Sequence, residues 1–120
     1  MARILLADDD QATRDLVKRA LESDGHKVDL TQDGLEALET LTGAAQGFDV
    51  LVSDVHMPGL DGIELARRAS AEHPTLRLLL MSGFAEELER AQALKSPNLG
   101  VIMKPFTLDQ IRAAVRALLA

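Results

Sequence analysis

The sequence predicts an α/β protein with a doubly wound layer structure, a parallel sheet of five strands covered by helices on both faces. Three observations predict it. Short, nearly all-apolar runs recur along the chain, as strands buried on both sides require. Amphipathic stretches with acid or threonine start signals lie between them. Strand and helix alternate from one end to the other, which implies right-handed crossovers.

Each element follows from local chemistry. Residues 3–7, Arg3-Ile4-Leu5-Leu6-Ala7, form the first strand. A helix over about 11–23 places Ala12, Leu16, Val17, Ala20 and Leu21 on one face and stops at Ser23-Asp24-Gly25. Lys27-Val28-Asp29-Leu30 is a short second strand. Asp33-Gly34-Leu35-Glu36 opens the next helix with an acid cap and a glutamate three residues on. Asp49-Val50-Leu51-Val52-Ser53 is the third strand, and Asp61-Gly62-Ile63-Glu64 repeats the start signal for a helix that Pro74 ends. The fourth strand runs from Leu76 to Met81. A helix over about 84–95, with Glu86, Glu87, Glu89 and Arg90, reads as the most exposed of the set. Gly100 to Met103 is the fifth strand. Thr107-Leu108-Asp109-Gln110 is a capping box for the last helix, whose stripe is Leu108, Ile111, Val115, Leu118 and Leu119. No linker or low-complexity segment interrupts the pattern, so residues 1–120 read as one domain.

Three strands run into polar residues. The first ends at Asp8-Asp9-Asp10, the third at Asp54 and the fifth at Lys104-Pro105. In a parallel sheet these ends share one edge, where ligands bind at the topological switch point. Acids without histidine or cysteine partners suit Mg²⁺, and a metal beside a lone carboxylate suits phosphoryl chemistry.

Composition narrows the function classes. A net charge of −6 argues against a non-specific nucleic-acid or anionic-membrane binder. The chain has no cysteine, which excludes a disulfide framework and thiolate chemistry and agrees with a cytoplasmic location. Met1-Ala2-Arg3-Ile4 enters a strand at once, which predicts no signal peptide, and no apolar run approaches the roughly 20 residues of a membrane span. His26 and His73 lack ligand spacing and read as surface residues, and no Gly-rich phosphate loop follows the first strand.

Taken together, Asp8-Asp9, Asp54 with Met57-Pro58 and Asp61-Gly62, Ser82-Gly83 and Lys104-Pro105-Phe106 resemble the receiver domain of two-component response regulators, in order and across the whole chain. The resemblance implies a flavodoxin-like sheet with strand order 2-1-3-4-5. It implies that Asp54 accepts a phosphoryl group from a phosphohistidine, forming an aspartyl phosphate. Asp8 and Asp9 would hold Mg²⁺ with Asp54 and the backbone carbonyl of His56, while Asp10 caps the first helix. Lys104, before a cis proline peptide, would contact a phosphoryl oxygen, and the Ser82 hydroxyl would move inward to donate to it.

Two positions depart from the family. Val101 replaces the usual aromatic three residues before the lysine, so switching must use other movements, with the helix after Gly83-Phe84 as the element expected to move. The positions that set aspartyl-phosphate lifetime hold His56 and Phe84, and bulky Phe84 is expected to screen the attacking water. His56 either orients water or sits in solvent.

The resemblance further implies that the domain is no enzyme beyond its own phosphorylation and dephosphorylation. Its partners would be a histidine kinase or phosphotransfer protein and a downstream protein effector, with no direct contact to nucleic acid or membrane. Gln11, Arg14, Asp15, Lys18 and Pro105-Phe106 form the expected kinase-facing surface. If residues 1–120 are the whole product, output is expected through protein contacts, and the chain resembles a stand-alone regulator or the receiver of a hybrid histidine kinase. Two rival readings are a receiver-like module that takes no phosphate, and a small Mg²⁺-dependent phosphohydrolase of the haloacid-dehalogenase type, for which Asp8-x-Asp10 gives a superficial match.

Overall fold

The computed structural model describes residues 1–44 and 47–120. The elements run β1 (Arg3–Ala7), α1 (Gln11–Ser23), β2 (Lys27–Thr31), α2 (Gly34–Gly43), β3 (Val50–Asp54), α3 (Gly62–Glu72), β4 (Arg77–Ser82), α4 (Ala85–Gln92), β5 (Leu99–Met103) and α5 (Leu108–Leu119). The five strands are parallel, as the apolar runs predict, and ordered β2-β1-β3-β4-β5, as the family resemblance implies.

Period-two alternation along the strands sorts their side chains into two cores. Leu5 and Ala7 of β1, Leu51 of β3 and Leu78 and Leu80 of β4 pack with residues of α2, α3 and α4. Ile4 and Leu6, Val50 and Val52, and Leu79 and Met81 face the other way, against Val17, Ala20 and Leu21 of α1 and Ile111 and Val115 of α5. The central strands are therefore buried on both faces, which explains their uninterrupted apolar runs.

Caps fix the helix starts. Asp10 accepts the Thr13 amide at 3.0 Å, Asp33 the Glu36 amide at 2.8 Å and Asp61 the Glu64 amide at 2.8 Å. Thr107 and Gln110 form the reciprocal capping box. Helix α4 is shorter than the sequence suggests, because Phe84 offers no side-chain cap and the chain turns after Gln92. Strand β3 begins one residue late, at Val50, and the Asp49 carboxylate just before it accepts the Arg3 amide at 2.7 Å. Ala12 and Leu16, expected on the buried face of α1, are exposed. His26 and His73 are half-buried rather than superficial, and Nδ1 of His26 accepts the Ala2 amide at 3.1 Å. Among the described residues no helix is long and apolar enough to cross a membrane.

Candidate functional site

The same alternation decides which side chains meet at the C-terminal edge. Asp54 continues the face of Val50 and Val52, and Asp8 that of Ile4 and Leu6. Lys104 continues the face of Ile102. All three therefore emerge on the side of the sheet carrying α1 and α5. Ser82 continues Leu78 and Leu80 and emerges on the opposite side, toward α4.

Asp8, Asp9 and Asp54 each offer a carboxylate oxygen, and these atoms lie within 4.8 Å of one another. Lys104 Nζ lies 3.1 Å from Asp54 Oδ1 and 3.7 Å from Asp8 Oδ2. The first distance is a hydrogen-bonded ion pair; the second is an electrostatic contact only. The Lys104–Pro105 peptide is cis. Asp8 is fully buried and Asp54 nearly so, whereas Asp9 is exposed.

Burial raises both buried carboxyls. Asp8 is pushed up to about 6, chiefly by desolvation, against the opposing Asp10 amide and Lys104. Asp54 is also raised by burial, with Lys104 pulling in the other direction. One Asp8 oxygen accepts the Asp10 amide at 2.9 Å, while Oδ2 is buried without a hydrogen bond. An orphaned buried carboxylate oxygen beside two further carboxylates fits a hard divalent cation, which prefers oxygen ligands and removes the mutual repulsion.

The backbone beneath Asp54 is crowded. The Gly62 amide donates to the Val55 carbonyl at 2.9 Å, and a Cβ on Gly62 would lie 2.2 Å from the Asp54 carbonyl oxygen. Only glycine lets α3 start so close to β3. Asp61-Gly62 was visible in the sequence as a helix start, but this close approach was not.

Ser82 and His56 have partners that sequence reasoning missed. The Ser82 hydroxyl donates to Glu87 Oε1 at 2.5 Å and accepts the Phe84 amide at 3.0 Å. His56 lies two residues past Asp54 in the β3–α3 loop, and its Nε2 is 2.6 Å from Glu87 Oε2. Its ring also lies 5.6 Å from that of Phe84. Neither of the two open possibilities for His56 included this pairing. On the other rim, Arg14 donates to the Asp8 carbonyl at 3.3 Å, so part of the expected kinase-facing surface also braces the site.

Residues 4–116 match the family described as response regulator receiver domain. The response regulator MprA of Mycobacterium ulcerans is 39% identical over 117 residues, covering 98% of this chain and 50% of that protein. The chain thus spans about half the length of the curated relatives it matches. Among solved structures, the chemotaxis response regulator CheY4 of Vibrio cholerae superposes with a TM-score of 0.86 at 27% identity, covering 98% of each chain. The receiver domain from the hybrid histidine kinase CckA superposes with a TM-score of 0.79 at 29% identity, covering 98% of this chain and 99% of that one. The receiver domain of the Francisella response regulator 1452 superposes at 0.85 with 29% identity, covering 98% of this chain and 96% of that one.

Proposed function

The chain belongs to the response regulator receiver domain family, and from that premise we propose that Asp54 is its phosphoacceptor in a two-component system. The donor would be a phosphohistidine on a histidine kinase or phosphotransfer protein. The observation that carries the reading is the meeting of Asp8, Asp9 and Asp54 within 4.8 Å, with Lys104 Nζ 3.1 Å from the Asp54 carboxylate.

In this reading an Asp54 oxygen attacks phosphorus, the P–N bond breaks and its electron pair returns to the donor imidazole. Asp8 and Asp9, with Asp54 and the His56 backbone carbonyl, would hold Mg²⁺. A cation held there would supply positive charge to offset that of the phosphoryl oxygens. Lys104 stays within reach of Asp54 and turns its ammonium to a phosphoryl oxygen as a point-charge contact. The Ser82 hydroxyl would donate a hydrogen bond to another phosphoryl oxygen. Residues 1–120 would act as one receiver domain in the cytoplasm, with no turnover of free phosphoesters. Output would pass through protein contacts, as phosphorylation biases a resting–active equilibrium that already exists.

Intact mass after incubation with acetyl phosphate and Mg²⁺ tests this. We expect a Mg²⁺-dependent gain of one phosphoryl group that Asp54→Ala abolishes. A gain that survives in Asp54→Ala refutes the assignment. No gain from either acetyl phosphate or a phosphorylated donor domain, together with no Mg²⁺ binding, would favour a module that takes no phosphate.

A further inference from the structure

Glu87 is the acid of α4 that the site chemistry leaves unused. Its side chain is only 14% exposed, and both carboxylate oxygens are taken. Ser82 donates to one at 2.5 Å and His56 Nε2 lies 2.6 Å from the other. One carboxylate thereby ties together the end of β4, the β3–α3 loop and the first turn of α4.

We propose that Glu87 is a positioning residue that parks the Ser82 hydroxyl on the α4 side of the sheet, and that transfer of this hydroxyl from Glu87 to a phosphoryl group on Asp54 loosens α4. The handover rests on the function proposed above. A serine hydroxyl carries one proton, so it cannot donate to Glu87 and to a phosphoryl oxygen together. The contact it must surrender is a hydrogen bond to a charged acceptor, stronger than a neutral one. The same oxygen accepts the Phe84 amide at 3.0 Å, and Phe84 is the N-cap of α4 without a side-chain cap of its own. Moving Ser82 therefore removes two anchors from the first turn of α4 at once. Helix α4 is the shortest helix among those described and buries only Leu88 and Ala91, so beyond the His56–Glu87 contact little else holds that turn. On the neighbouring strand, Val101 is a short aliphatic chain packed on the core, which leaves the polar contacts of Ser82 to α4 and its own loop.

Hydrogen exchange across residues 85–92 and the rate of labelling by acetyl phosphate with Mg²⁺ test this on the whole chain. The set is wild type, Ser82→Ala, Glu87→Ala, Glu87→Gln and the Ser82→Ala/Glu87→Ala double variant. Before labelling, Glu87→Ala should raise exchange in α4 several-fold, and adding Ser82→Ala should raise it further by freeing the Phe84 amide. Labelling should loosen α4 in the wild type and loosen it by less in Glu87→Ala, where only the Phe84 amide contact remains to be lost. Glu87→Ala should also label faster than wild type, an acceleration that disappears when Ser82 is alanine. Glu87→Gln, which keeps an acceptor for the hydroxyl, should restore part of the protection. Wild-type labelling with no effect of Glu87→Ala, or an acceleration that persists without Ser82, overturns the latch alone. A wild type that takes no phosphoryl group from acetyl phosphate or from a phosphorylated donor domain overturns the receiver chemistry, and the handover with it.

Discussion

Replacing Asp8 by asparagine should stabilise the metal-free protein near neutral pH while weakening its response to Mg²⁺. Asp8 is fully buried, and its carboxyl is raised from 3.8 to about 6, mainly by desolvation. The fold therefore prefers the protonated acid. Between about pH 4 and pH 6 the folded state holds a proton that the unfolded state has released, so stability falls as pH rises through that window and stays lower above it. A shift of about two units corresponds to roughly 3 kcal/mol at about 1.4 kcal/mol per unit. Screening at the sheet edge reduces that to about 1–2 kcal/mol. Asparagine keeps the oxygen that accepts the Asp10 amide and removes the charge. Without metal, urea unfolding at pH 7 should show Asp8→Asn more stable than wild type by about 1–2 kcal/mol, or roughly 4–8 °C in Tm. The gain should shrink to a small residue near pH 3.5, where the folded wild type is protonated and the unfolded state mostly so. Added Mg²⁺ should raise wild-type stability at pH 7 and raise the variant less. A variant no more stable than wild type at pH 7, or equally favoured at both pH values, would refute the desolvation argument.

Three further outcomes follow from the geometry. Lys104→Ala removes the 3.1 Å partner of Asp54 and should slow labelling by acetyl phosphate about tenfold or more, read by intact mass over time. Gly62→Ala places a methyl 2.2 Å from the Asp54 carbonyl oxygen and should cost about 1–3 kcal/mol in urea unfolding, with slower labelling as β3 shifts. Phe84→Ala removes an exposed ring that stands against His56 and should shorten the phosphate half-life; an unchanged half-life would remove the idea that this ring screens water.

Much of the molecule was legible because it is local. Apolar runs gave the strands, and Asp10, Asp33, Asp61 and Thr107 marked helix starts that their hydrogen bonds confirm. The meeting of Asp8, Asp54 and Lys104 followed from strand ends sharing an edge. What stayed hidden depends on distance in sequence or on packing. The His56–Glu87 contact joins residues 31 apart, and nothing in the local composition of either marks the other. Leu16 had helical spacing for the buried face, yet it is 39% exposed, and Val17, Ala20 and Leu21 carry the α1 contact instead. The orphaned Asp8 oxygen likewise arises from three-dimensional burial that no spacing rule reports. A glutamate at the third position of α4, five residues after a strand-end serine, was the signal that could have drawn attention to Glu87.

Alternation along the strands sends Asp8, Asp54 and Lys104 to one layer and Ser82 to the other. This separation bears on how such a protein can change over generations. Mutations around α4 can reset where the hydroxyl rests without crossing the acidic cluster, and changes around α1 can retune the donor-facing side without disturbing α4. On the roles proposed for these residues, chemistry and response would be exposed to selection as partly separable traits, joined through Ser82 and the His56–Glu87 contact.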